Sequence, residues 1–144
     1  MAITGEYVPS PSDWVRKQVE EIERTGTTDS VHIMNLPVVL LTMRGARTGA
    51  VRKVPLMRVE HEGTFAAVAS KGGAPEHPQW YRNMLAHPDI ELQAGTETVP
   101  VRARELSGEE RDQWWERCVA AYPPYAQYQT KTDRLIPVFV LEPV

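Results

Sequence analysis

The stretch VRKVPLMRVEHEGTFAAVAS, Val51–Ser70, decides how the chain is read. Two runs rich in apolar and β-branched residues flank His61, Glu62 and Gly63. A short glycine-containing break between such runs predicts a β-hairpin, and hairpins pair antiparallel. Pro55 cannot donate to a ladder, so the first run is expected at a sheet edge or a bulge. Working outward, PVVLLTM (Pro37–Met43) is a continuous apolar run that reads as a buried strand, and RGARTGA (Arg44–Ala50) is a turn. DIELQA (Asp89–Ala94) and ETVPVRAREL (Glu97–Leu106) flank Gly95 and Thr96 as a second hairpin, and PVFVLEP (Pro137–Pro143) is a closing strand.

Three helices interleave with these strands. SPSDWVRKQVEEIERTG starts with Ser10 as cap and Pro11 in the first helical position. Val15, Val19 and Ile22 recur at helical spacing, and Gly26 is the stop. Residues 27–35 form a connector. PQWYRNMLAH (Pro78–His87) is a short helix with Trp80, Met84 and Leu85 expected on one side. SGEERDQWWERCVAAYP (Ser107–Pro123) has Ser107 and Glu110 in capping-box spacing and Pro123 as its end. About six mainly antiparallel strands with helices outside them suggest an α+β fold whose sheet closes, or nearly closes, into a barrel.

Composition narrows the function. The length of 144 residues suits a single domain, 1–144, with a sizeable core. The lone Cys118 cannot form an internal disulfide, which suits a reducing compartment. The N-terminus lacks the pattern of a secretory signal, and no apolar run is long enough to span a bilayer. A net charge of −3 and a pI near 5.8 argue against nucleic-acid binding. Yet Val31–Val59 holds Arg44, Arg47, Arg52, Lys53 and Arg58 and no acidic residue. Glycines in its turn let a backbone approach a ligand, and arginine offers a fork to phosphate or carboxylate. Arg52 and Lys53 point to opposite faces of a regular strand, so both reach one ligand only at its start or across a bulge. Lys71, at the end of another strand, adds a further cation. A small anion held by this patch and a solvated turn with scattered charge fit the residue types equally well.

Other chemistry is thinner. The G-x-x-x-x-G-K-S/T and G-x-G-x-x-G orders are absent, which disfavours P-loop and Rossmann sites. His32, His61, His77 and His87 lack metal-ligand spacing, so no metal is expected. Trp114, Trp115 and Cys118 read as core of the last long helix. Tyr122, Tyr125 and Tyr128 recur every third residue, as on one side of a tight helical turn. They suit either a cover for a planar ring or plain packing.

Three segments, LLTMRGARTGAVRKVPLM (Leu40–Met57), ASKGGAPEHPQWYRNMLAHP (Ala69–Pro88) and YPPYAQYQTKTDRLIPVFVLEP (Tyr122–Pro143), occur in this order. Together they resemble the deazaflavin-dependent nitroreductase family, actinobacterial oxidoreductases that use reduced coenzyme F420 (the FDOR-A branch). The resemblance runs from about Leu36 to Val144. Residues 1–35, a helix and connector, are variable in that family.

The resemblance implies a split β-barrel and transfer of hydride from reduced coenzyme F420 to a small hydrophobic acceptor, whether quinone, activated enone or nitro compound. The coenzyme carries a phosphate and an oligoglutamate tail, which would explain the basic segment. By similarity, Ala46, Arg47 and Thr48 border the tail and phosphate channel. Arg52, Lys53, Val54, Pro55, Leu56 and Met57 run past the phosphate towards the ring. Val68, Ala69, Ser70 and Lys71 follow the deazaflavin and its phosphate. Gln79, Trp80, Tyr81, Arg82 and Asn83 form another wall, and Tyr125 closes over the ring. Ser70, Tyr125 and Tyr128 are the candidate proton donors on the substrate side, in competition with water. Relatives that reduce nitroimidazoles have tyrosine where this chain has Met57, which weighs against nitroimidazole reduction and leaves quinones or activated enones on at least an equal footing. The alternatives are an FMN oxidoreductase on the same barrel and a non-catalytic F420 carrier. A cytoplasmic or loosely membrane-associated protein without stable insertion is expected, its oligomeric state unread.

Overall fold

The computed structural model describes residues 3–144. Eight strands and four α-helices follow one another as α1 (Asp13–Thr25), β1 (His32–Ile33), β2 (Leu36–Arg44), β3 (Val51–Met57), β4 (Val59–His61), β5 (Thr64–Val68), α2 (Gln79–Ala86), β6 (Asp89–Ala94), β7 (Glu97–Glu105), α3 (Gly108–Ala121), α4 (Pro124–Thr130) and β8 (Val138–Pro143). Single 3₁₀ turns occupy Thr28–Ser30 and Lys71–Gly73.

The strand-like run from Val51 to His61 is two strands. It breaks at Arg58: β3 pairs with β2, whereas β4 pairs with β5 through the turn at Glu62 and Gly63. Both turn residues have positive φ (52° and 82°), as a two-residue hairpin turn needs. All strand pairings are antiparallel, in the order β3-β2-β6-β7-β8-β5-β4 with β1 also on β2. The two ends of this order, β3 and β4, are consecutive in the chain and separated only by Arg58. The sheet must therefore curl round until its edges meet, which makes the split barrel. Pro55 sits opposite Leu40 on β3, which pairs on one side only, as an edge proline should. At the start of that edge the N-terminal segment bridges at Tyr7 to Val51.

The pleat sorts the core. Val39, Leu41 and Met43 of β2 point into the barrel with Ile90, Leu92, Val101, Phe139 and Leu141, and Met84 of α2 plugs the space. Val38 and Leu40 point the other way and meet Val19 and Ile22 of α1. A strand buried on both faces reads as an unbroken apolar run, which is why Pro37–Met43 carries no alternation. On a third side α3 and α4 lay Trp114, Cys118, Tyr122 and Tyr125 against Val59, Ala66, Val68 and Val138. Burial pushes the Cys118 thiol up to about 12, so it is an inert core residue.

Several local expectations need correction. There are eight strands and not about six, because β1 falls within the connector and the long run splits. Ser12, not Ser10, caps α1: its side chain accepts from the Val15 N–H, and Pro11 lies before the helix. Gly26 ends α1 with φ 77° and donates to the Ile22 carbonyl, as expected. Leu85 is 49% exposed and does not share the buried face of α2 with Met84. The capping box of α3 does not form. Ser107 makes no side-chain cap bond, and Glu110 pairs instead with Arg104, which also holds Glu142.

Candidate active site

Three cavities abut along the seam between β3, the Ser70–Pro78 segment, α1, α2 and α4. The first, of about 380 Å³, is apolar: Trp14, Ile33, Leu56, Met57, Tyr122, Tyr125 and Tyr128 line it, with Ser70 and Lys71 at its wall. The second, of about 310 Å³, shares Val15, Val54, Lys71, Pro78 and Trp80 with the first and adds Arg52, Gln79 and Asn83. The third, of about 200 Å³, shares Arg52, Gln79 and Asn83 with the second and adds Ala46, Arg47, Thr48 and Arg82. One groove thus runs from a ring of tyrosines to a cluster of arginines.

The strands set the arginine end. Arg52 lies opposite Met43 on the barrel-facing side of β3 and emerges at the barrel mouth. The Gly45–Ala50 turn is held to α2 by a long-range bond: the Ala46 N–H donates to Asn83 Oδ1 at 2.9 Å. Asn83 is largely buried, and this part-buried bond ties the turn to α2. Arg47, Arg52 and Arg82 have no carboxylate within 4.0 Å among the described residues, unlike Arg16, Arg24, Arg58, Arg102 and Arg104. Three converging unpaired guanidiniums repel one another and attract an anion. Lys53 behaves differently. It turns to the α1 side, where Nζ meets Glu23 at 2.8 Å and lies over the Tyr7 ring. Its charge is already matched.

The tyrosine end is built by helix packing. Tyr122 closes α3, and Tyr125 and Tyr128 stand on α4 with ring centroids 4.8 to 6.2 Å apart. The Tyr122 and Tyr128 hydroxyls are 2.9 Å apart and satisfy each other. Burial and that bond push the Tyr122 phenol up to about 12, and burial raises Tyr125 further still. Both are neutral phenols at physiological pH. The Tyr125 hydroxyl and Ser70 Oγ make no hydrogen bond among the described residues, although both residues are buried and line the apolar cavity. Neither hydroxyl is among the buried unpaired atoms, so each opens onto the cavity and is free to donate to a ligand there.

Not every residue of the sequence reading reaches the groove. Arg52, Lys53, Val54, Pro55, Leu56, Met57, Val68, Ser70, Lys71, Gln79, Trp80 and Tyr125 line it, as do Ala46, Arg47, Thr48, Arg82 and Asn83; Lys53 borders the second cavity while its amine is held by Glu23. Ala69 is fully buried behind it. Tyr81 faces away, stacked on His77 with its hydroxyl on the Glu105 carboxylate. Trp14, Val15 and Ile33 also form the wall of the groove, and no motif in the sequence marks them. The apolar spacing of α1 hinted at Val15, but which surface that stripe covers is a tertiary matter. Nor does any motif mark Arg134, whose four contacts lie 57 to 65 residues away. Among the described residues no group of three or more His, Cys, Asp or Glu is placed to hold a metal, and no helix is long and apolar enough to cross a membrane.

Comparison with known proteins gives this groove a context. Residues 14–143 match the family model described as F420H(2)-dependent quinone reductase. Rv1261c of Mycobacterium tuberculosis (strain ATCC 25618 / H37Rv), named an F420H(2)-dependent quinone reductase, is 35% identical over 108 residues, 73% of this chain and 72% of that protein. A solved structure of an F420-H2 dependent reductase (FDR-A) is 58% identical, with a TM-score of 0.71 over 78% of this chain and 99% of that one. A second, described as a domain-swapped dimer, is 59% identical, with a TM-score of 0.73 over 92% of this chain and all of that one.

Proposed function

The chain belongs to the F420H(2)-dependent quinone reductase family, and from that premise we propose how its own residues divide the work. The chain is an oxidoreductase whose cofactor is coenzyme F420. When bound, the reduced deazaflavin supplies a hydride to the acceptor. The described groove fits such a group on two counts. Its arginine end offers three unpaired cations in a row, more than one phosphate requires. Its other end is apolar and flat-walled, as a ring system requires.

Arg47, Arg52 and Arg82 hold the anionic phosphate and tail through charge-assisted bonds. Val54, Pro78 and Trp80 border the ring. The acceptor enters the tyrosine cavity, where Trp14, Ile33, Met57 and the three rings exclude water. Ser70 Oγ and the Tyr125 hydroxyl donate to an acceptor oxygen, stabilising the charge that develops there. A quinone presents a flat apolar face with carbonyl oxygens that two unpaired donors suit. Met57 in place of a tyrosine removes one further hydroxyl from this wall, which supports quinones ahead of nitro compounds. Proton delivery comes from these hydroxyls or from water. The unpaired buried Cys118 suits a reducing, cytoplasmic setting.

The observation that carries the reading is the continuity of the unpaired arginine cluster with the apolar tyrosine cavity. The test is anaerobic oxidation of reduced F420 by purified protein with a small naphthoquinone, beside binding titrations of F420 and FMN. Quinone-dependent oxidation and tighter binding of F420 are expected. Binding of F420 with no acceptor-dependent turnover would make the chain a carrier. Tighter FMN binding would replace the cofactor.

A further inference from the structure

Arg134 lies between α4 and β8, and its guanidinium is aimed at backbone. Nε donates to the Ala74 carbonyl at 2.9 Å, Nη1 to the Ala69 carbonyl at 3.1 Å and Nη2 to the Ser70 carbonyl at 2.8 Å. Nη1 also lies 3.1 Å from His77 Nδ1. Arginine only donates, so Nδ1 accepts and the ring is neutral with its proton on Nε2. Burial, reinforced by Arg134, holds His77 below the usual histidine range, which keeps it in that form.

The same segment is tied to the tyrosine helix. Gln129 of α4 donates to the Arg134 carbonyl at 2.8 Å and accepts from the Ile136 N–H at 2.9 Å. Next to it the Ala69 N–H donates to the Pro137 carbonyl at 2.9 Å. Gly73 lies so close to α4 that a Cβ there would meet the Tyr128 carbonyl oxygen at 2.7 Å. The loop between needs such support. Lys71, Gly72 and Gly73 have φ of 46°, 64° and 85°, and Lys71 is an L-residue in the left-handed region. Such a conformation persists only where its surroundings determine it.

We infer that Arg134 is a positioning residue: its planar fork locks the Ser70–Ala74 loop to α4 and thereby sets the Ser70 and Tyr125 hydroxyls at one fixed separation across the acceptor cavity. This rests on the reading of that cavity as the acceptor site. The fork matters more than the charge, because three carbonyls in different directions need directed donors. Lysine offers a point charge on a flexible stem and cannot bridge them. The arginine cluster at the other end of the groove lies outside the clamp.

The test uses the whole chain with Arg134→Lys and Arg134→Ala. In the apoprotein, hydrogen exchange at the Ala69, Gly73 and Ala74 amides should quicken by about tenfold or more, while the β2 and β6 amides keep their protection. With reduced F420 and a naphthoquinone, kcat should fall about tenfold in both variants, the effect of about 1.4 kcal/mol on the barrier. The Kd for F420 should rise by no more than about threefold, because Arg47, Arg52 and Arg82 are untouched and only Lys71 of the loosened loop borders the second cavity. Unchanged protection of the three amides would overturn the inference, as would recovery of both readouts by lysine. A wild type that oxidises no reduced F420 with any quinone would sink the functional reading alone, since the exchange measurement still decides the clamp.

Discussion

The two ends of the groove are opposite solutions to holding a ligand. The arginine end is exposed or half-buried, charged and electrostatically unsatisfied, and it rests on one strand, one turn and one helix. The tyrosine end is buried and neutral, and it depends on packing of α3, α4, β5 and β8. The first stores repulsion that a bound anion relieves. The second contributes its rings to the core, with only two hydroxyls left unpaired. Substitutions at the arginine end should therefore weaken binding without harming the fold. Substitutions at the tyrosine end should harm the fold and turnover together.

The sharpest test is Tyr125→Ala. Deleting a buried aromatic ring should cost about 3 kcal/mol of stability or more, read by denaturant unfolding, with kcat lower by about tenfold. Tyr125→Phe keeps the ring, so most of both losses should vanish. A Phe variant as poor in turnover as the Ala variant would make the hydroxyl, not the ring, the working group. The same pair sharpens the electrostatics. Tyr125 holds its proton longer when folded than when unfolded, so folding stability should fall as pH rises above about 10. The fall should be shallower by one proton in Tyr125→Phe, measured as unfolding free energy against pH.

At the other end, Arg52→Ala should weaken F420 binding by about 1.5–3 kcal/mol, the range for a charge-assisted bond, with the unfolding midpoint unchanged or slightly raised. Wild-type affinity should fall as salt rises, and less so in the variant. Loss of stability in Arg52→Ala would break the contrast between the two ends. Lys53→Ala is the control on the next residue. Its amine is matched by Glu23, so F420 affinity should barely move. Stability should drop by at most about 1 kcal/mol, as for other partly exposed ion pairs. Equal damage from Lys53 and Arg52 would mean that Glu23 releases Lys53 to the ligand. The smallest effect is expected at Ser107→Ala, under about 0.5 kcal/mol by thermal unfolding, because the cap bond that the sequence pattern suggests is not made.

Much of this was legible in the chain. Hairpins announce themselves locally, since glycine turns and alternating runs are short-range features. The β6–β7 hairpin, α2 and β8 all lie where the pattern puts them. The break at Arg58 was not legible, because Val51–Glu60 is uniformly strand-like and only the choice of partner distinguishes β3 from β4. The capping box failed because Arg104, itself held by Glu142 far along the chain, takes Glu110 away from the helix end. At the site, the basic segment and the tyrosine triplet stand out by residue type. Lys53 could not be separated from Arg52 by type, because the difference lies in α1 presenting Glu23 to one face of the strand.

What the sequence by itself determined is the antiparallel, barrel-prone pattern of strands, the single acid-free basic segment and the tyrosine repeat. Each is set by interactions within about ten residues of chain, or by composition alone. The tertiary structure alone decided that the sheet's edges meet at Arg58, that α1 walls the groove with Trp14 and Val15, and that Arg134 ties the Ser70 loop to α4. These depend on contacts between residues far apart in the chain. Such contacts form only when burial of the shared core offsets the entropy of bringing them together, and no local pattern records them.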